Sequence, residues 1–276
     1  MQDDRSLLYA CAANDLDLIR QRLVNVKPAQ LKKSTQETGT PLHAAALHGN
    51  VPAVDLLLAA GADAEAGNFL KDNAMLSCIK AGRLDMARHL IERGSDVNRK
   101  GCQNRHALNQ LIFSAWDRDF AQYLLDKGCD IHQTAVDGQD MLGNAAGVNN
   151  VDAIEFLLAR EVDRGYLDSA LREAILHNGV AAARMLLAHG ARLGDMYGGK
   201  GLQRSTYHFV ATRNHRAEMI ALLQAQGVDF RQAPDRAVTV GVGTTKLSPL
   251  DYAKEVLSRW PGEAHLHPNI AAMEGR

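Results

Sequence analysis

GTPLHAAALHGNVPAVDLLLAAGADAEA, residues 39–66, holds two short apolar runs, each closed by a glycine, and ends in an aspartate-bearing tail of small residues. Thr40 is placed to cap a helix that starts at Pro41, where a missing N–H costs nothing and φ is already close to helical. The small run Ala44, Ala45, Ala46 lets a neighbouring helix approach closely, and Gly49 ends the segment. Asn50 is placed to cap a second helix in which Val54, Leu57 and Leu58 fall at helical spacing, and Gly61 supplies the left-handed conformation that closes it. Helices this short are marginal alone, so the pair must be stabilised by stacking on further copies of itself.

Those copies are present. The closing glycine recurs at Gly94 and Gly128, a period of about 33 residues, and the slot continues at Glu161, Gly190 and Gly227. An aspartate stands two residues beyond at Asp63, Asp96, Asp130, Asp163 and Asp229. Upstream lie paired aliphatics such as Leu90 and Ile91, Leu124 and Leu125, Leu157 and Leu158, Leu186 and Leu187, and Leu222 and Leu223, which mark the buried face of a recurring helix.

GTPLHAAALHGN and DLLLAAGADAEA, with TPLH at Thr40–His43, resemble the ankyrin repeat. Looser copies in register occupy 73–98, 105–132, 140–163, 168–193 and 205–230. SLLYACAANDLDLIRQRLV (6–24) resembles a capping half-repeat, and LSPLDYAKEVLSRW (247–260) a first helix with no second one. The resemblance implies an all-α fold, an ankyrin repeat solenoid of stacked helix pairs with finger loops. The organisation it implies is an N-terminal capping repeat and loop over 1–38 and six repeats over 39–230, then an inserted loop and capping helix over 231–260 and a tail over 261–276. In TPLH units the histidine is expected to bond the backbone of an adjoining turn. His43 and His208 fill that slot, while Leu76, Asn109, Gly143 and Arg172 replace it elsewhere.

Composition narrows the function classes. Lys plus Arg is 31 and Asp plus Glu is 32, so there is no global positive field to hold nucleic acid or an anionic membrane. The start, MQDDRSLLYACAAND, places acidic residues where a secretory signal needs basic ones, and no apolar run approaches the roughly 20 residues of a membrane span. A cytoplasmic protein is expected. Cys11, Cys78, Cys102 and Cys129 are widely spaced with no CxxC pair, so reduced thiols are expected.

Three long loops depart from the repeat: 24–38, 191–204 and 231–246. The last alternates valine with small residues, as a projecting β-hairpin does. GDMYGGKG matches the glycine and lysine spacing of a phosphate-binding loop through Gly194, Gly199 and Lys200. It fails as one, because Gly201 stands where Ser or Thr would bind magnesium and no strand precedes it. His265 and His267 lack a third ligand in a fixed frame. No Cys or Ser pairs with a His and Asp, so no catalytic residue, metal or cofactor is assigned.

The expected function is therefore non-enzymatic protein binding through the concave face and finger loops that ankyrin repeat proteins use. Two binding roles stay open, a dedicated inhibitor or immunity protein for one partner and an adaptor linking two proteins; an enzyme with an unrecognised site is the remaining alternative. The expected partner is a protein, with no nucleic acid and no membrane. The binding residues are those that appear where the repeat does not ask for them. Phe69 and Leu70 stand near a finger tip, Phe113 at the end of a first helix and Trp116 in a helix-to-helix turn, with Asp72, Lys80 and Gln139 as a polar rim.

Overall fold

The computed structural model describes residues 6–134, 140–160, 164–193, 206–234, 237–240 and 243–275. Gln139, Glu161, Asp163 and the GDMYGGKG segment lie outside the described residues. The chain divides into two compact units, Met1–Met141 and Leu142–Arg276. Both are built from pairs of short helices, and no described helix is long and apolar enough to cross a membrane.

In the first unit the pairs are α1 (Leu7–Ala12) with α2 (Leu16–Leu23), α4 (Pro41–Leu47) with α5 (Val51–Ala59), α6 (Ala74–Lys80) with α7 (Leu84–Glu92), and α8 (Ala107–Ser114) with α9 (Arg118–Asp126). The first helices pack side by side in chain order, α1 on α4, α4 on α6 and α6 on α8. Local chemistry sets the boundaries. The Thr40 side chain accepts from His43 N and Asn50 accepts from Ala53 N, so both expected caps form. Second helices close on Gly61, Gly94 and Gly128, all left-handed, at φ 92°, 100° and 84°. The turn between paired helices also takes a left-handed residue at Asn14, Gly49 and Gly82; the third repeat departs, with Ala115 at φ −144°. Leu57, Leu90 and Leu124 are buried in the core between the rows. The loop at 24–38 is not wholly extended. Pro28 opens a short helix, α3 (Pro28–Lys32), which buries Leu31, and Thr35 pairs with Gly39 in a bridge.

The second unit contains α10 (Met141–Gly147), α11 (Val151–Leu158), α12 (Leu167–Leu176), α13 (Val180–Ala188), α14 (Thr206–Ala211) and α15 (Ala217–Ala225). An antiparallel ribbon of β1 (Val238–Val240) and β2 (Gly243–Thr245) follows, as the valine alternation in 231–246 predicts. After α16 (Pro249–Arg259) the chain forms α17 (Leu266–Glu274), which packs on α15 and α16. This corrects the expectation of an unpaired helix followed by a tail. Leu266, Ile270 and Met273 are buried, and Pro268 lies in the first turn of the helix, where its missing N–H has no intrahelical partner to lose.

Candidate functional site

The finger preceding α6 is built around Asn68. Its Oδ1 accepts from Leu70 N at 2.8 Å and Asp72 N at 3.1 Å, while Asn68 N donates to the Asp72 carbonyl at 2.8 Å. Lys71 takes up the reversal at φ 68°, and Gly67 lies so close beneath that an added Cβ would sit 3.1 Å from Lys71 Cα. The side chain that this braced loop presents is Phe69, 57% exposed, with Leu70 half-buried beside it.

Asp72 does not serve as a polar rim. It is 2% exposed, and both of its oxygen types are spent inside the stack. Its carbonyl accepts from His43 Nε2 at 2.9 Å, and its carboxylate Oδ1 accepts from Cys102 N at 2.7 Å. Asp72 therefore joins its own finger to the units on either side. Burial pulls the His43 pKa down and the hydrogen bond to Asp72 works against that, so the imidazole is a neutral structural element near pH 7. His208 repeats the arrangement, with Nε2 on the Leu247 carbonyl at 2.9 Å. The expected role of the TPLH histidine is observed at both positions.

The next unit contributes Phe113, half-buried, with the Arg105 guanidinium 3.6 Å from its ring centroid. Arg105 leads into α8 from the short helical turn Cys102–Asn104, whose first amide is held by Asp72, and its guanidinium reaches the ring that Phe113 presents from the last turn of that helix. Lys80 is exposed at the C-terminal end of α6, and Trp116 is half-buried in the turn between α8 and α9. These two stand near the other end of the helices. Ser114 Oγ bonds the Ile79 carbonyl at 3.3 Å, and the Ala115 methyl lies against Gly82. The candidate residues thus fall into an apolar end at Phe69 and Leu70 on the finger and a second end at Lys80 and Trp116, with Phe113 in the last turn of α8. Asn68, Gly101 and Arg105, which support these residues, carry no signal in the sequence: Arg105 and Phe113 are not at a helical contact spacing.

The comparisons with known proteins agree with this geometry. A family model for ankyrin repeats, in three copies, matches residues 7–101 and 111–197. No curated protein matches the chain in sequence. Among solved structures, the ankyrin repeat domain of Bcl-3, a unique member of the IkappaB protein family, aligns with TM-score 0.59 and 21% identity over 75% of this chain and 94% of that one. The human ASB11 ankyrin repeat domain aligns with TM-score 0.60 and 22% identity over 84% of this chain and 97% of that one. With the paired helices, the left-handed closures at Gly61, Gly94 and Gly128 and the turn-binding His43 all within the matched residues, the chain belongs to the ankyrin repeat family.

Proposed function

We propose that this protein is a non-enzymatic binder that captures a protein partner through the finger loops and concave face of its first unit, with Phe69 as the anchor. Ankyrin repeats are generally protein–protein interaction modules, and the observation that carries the reading here is the exposure of Phe69 on a loop locked by Asn68. An aromatic ring held out on a pre-ordered loop loses little further entropy on binding, which is what an interface anchor needs. Leu70, Phe113 stacked under Arg105, and Trp116 extend the face, and Lys80 supplies charge at its edge. The non-enzymatic part is supported by how the described histidines of the core are used: His43 and His208 hold turns and His106 caps α8. The proposed location is the cytoplasm, consistent with four free cysteines.

Of the two binding roles we favour the dedicated inhibitor or immunity protein over the adaptor, because the described residues present one aromatic anchor on one ordered finger, which suits a single partner. Native pull-down with mass spectrometry tests both levels. A one-to-one complex lost on Phe69→Ser with Leu70→Ser, at unchanged melting temperature, supports the proposal. A ternary complex shifts the role to adaptor. A complex that survives the double change and Trp116→Ala refutes this face.

A further inference from the structure

The second unit contains a pocket of about 400 Å³ that the repeat architecture does not call for. Its walls are Phe209 of α14, Arg213 in the turn after it, Tyr252 of α16, and Trp260, Glu263 and His265 in the connection to α17. Val240 of the ribbon closes one edge. Trp260 is 56% exposed, a large aromatic surface left open to water beside two further rings. The ring of Tyr252 is fixed by an edge contact with His208, centroids 5.6 Å apart.

Charge selects the class of occupant. The Arg213 guanidinium lies 4.5 Å from the Phe209 centroid and makes no ion pair among the described residues. Glu263, the carboxylate on the wall, is held by His265 Nδ1 at 3.1 Å. Arg216, 5.7 Å from the same Phe209 ring, spends Nη1 and Nη2 on the Ile175 and Leu176 carbonyls, so it adds positive potential without offering those donors. Two guanidinium groups against the one carboxylate of Glu263 leave the site net positive, and Arg213 is the charged donor on its wall, beside the neutral donors of Asn214, Tyr252 and Trp260. A cation would meet the Arg213 guanidinium, with Arg216 behind the same Phe209 ring, and a neutral apolar group would leave Arg213 unused. The volume lies at the small end of pockets that enclose small ligands and suits one ring system with a short acid arm.

We infer that this pocket binds an aromatic group bearing a carboxylate, the ring against Trp260 and Tyr252 and the acid on Arg213. The site is separate from the proposed partner-binding face and does not depend on it. Two sources share this chemistry, a free aromatic acid and the C-terminus of a peptide that ends in an aromatic residue.

Isothermal titration calorimetry on the full chain tests the inference with indole-3-acetate, its neutral amide indole-3-acetamide, its cationic counterpart tryptamine, and acetyl-Gly-Gly-Gly-Trp with a free carboxylate. The expected result is that indole-3-acetate, the peptide or both bind at least about tenfold more tightly than the amide and the amine. Arg213→Gln should erase that tenfold preference, and Trp260→Ala should weaken every aromatic probe. Both side chains are exposed, so both variants should keep the wild-type melting temperature, and the melt verifies folding. Binding by the peptide alone assigns the site to a chain terminus. Equal binding of acid and amide, tighter binding of tryptamine, or no binding by any probe at millimolar concentration overturns it.

Discussion

His43 Nε2 donates to the carbonyl of Asp72, 29 residues along the chain, at 2.9 Å. The Thr40 hydroxyl lies 2.8 Å from the other ring nitrogen and donates to it, which fixes the proton on Nε2. Asp72 in turn accepts from Cys102 N, so one buried aspartate links three consecutive units through a histidine on one side and an amide on the other. Each helix pair is short, and ties of this kind couple neighbours into one cooperative structure.

His43→Ala should lower unfolding free energy by about 2–4 kcal/mol, combining a buried cavity with the loss of the bond to the Asp72 carbonyl and of the acceptor for the Thr40 hydroxyl. Urea denaturation followed by circular dichroism measures it. A midpoint within error of wild type would show that the histidine is not a tie between units.

Gly101 matters for the space it leaves free. A Cβ there would sit 2.2 Å from Asp72 Oδ1 and 2.7 Å from Leu76 Cδ1. Gly101→Ala should therefore cost about 1–3 kcal/mol by overpacking. Asp72→Ala should also destabilise, by leaving Cys102 N without its acceptor. The two changes share one contact, so the double variant should lose clearly less than the sum of the singles. Simple additivity in the same denaturation experiment would mean that the aspartate and the glycine act separately.

The helix pairs are legible in the sequence because their determinants are local: a capping residue, a run of small or aliphatic residues at helical spacing, and a glycine that must go left-handed. Phe69 is legible for the same reason, as a large apolar residue in a loop. Asp72 is not. A charged residue in a finger reads as a rim, and what buries it is an amide in the next unit and the missing Cβ of Gly101. The Arg105–Phe113 stack is hidden similarly, since the arginine precedes the helix that carries the ring. In α17 the cues point the wrong way. Pro268, Gly262 and two histidines read as a tail, yet the proline falls in the first turn, where a helix accepts it.

Acid should weaken the fold through the buried histidines. His106 is fully buried; Nδ1 accepts from Leu108 N at 3.2 Å and lies 3.4 Å from Cys129 Sγ, and Nε2 has no hydrogen-bond partner. Burial drives its pKa down to about 4, with Asp130 opposing the shift and Lys100 adding to it. The unfolded chain takes up a proton near pH 6.5 and the folded chain does not, so the stability is fully present above that pH and is lost as pH falls toward 4. The loss for this group is roughly 3 kcal/mol at the acid end. His43 and His208, also lowered by burial, add in the same direction. Denaturation midpoints should hold between pH 8 and about pH 7 and fall from there to pH 5, and His106→Asn, which keeps an acceptor for Leu108 N, should flatten that fall. An unchanged slope in that variant would place the acid sensitivity elsewhere.

Besides its apolar packing, the last helix is tied down by one fully buried amide, Asn269. Asn269 Nδ2 donates to the carbonyls of Ala211 at 3.2 Å and Arg213 at 2.6 Å, and Oδ1 accepts from Arg216 N at 3.1 Å. The side chain thus ties α17 to backbone groups at the end of α14 and in the turn to α15. Asn269→Ala removes all three bonds and should cost about 2–4 kcal/mol, more than a surface cap is worth. Asn269→Asp retains an acceptor for Arg216 N but cannot donate to two carbonyls when ionised, so it should be no better than alanine at pH 7. Deleting residues 261–276 goes further, uncovering the apolar contacts of Leu266, Ile270 and Met273 on α15 and α16. Because terminal elements keep repeat stacks from associating, the truncated chain should self-associate in light scattering while its helical signal stays largely intact. A monomeric truncation with wild-type melting would show that α17 is dispensable and that the stack is already closed by α16.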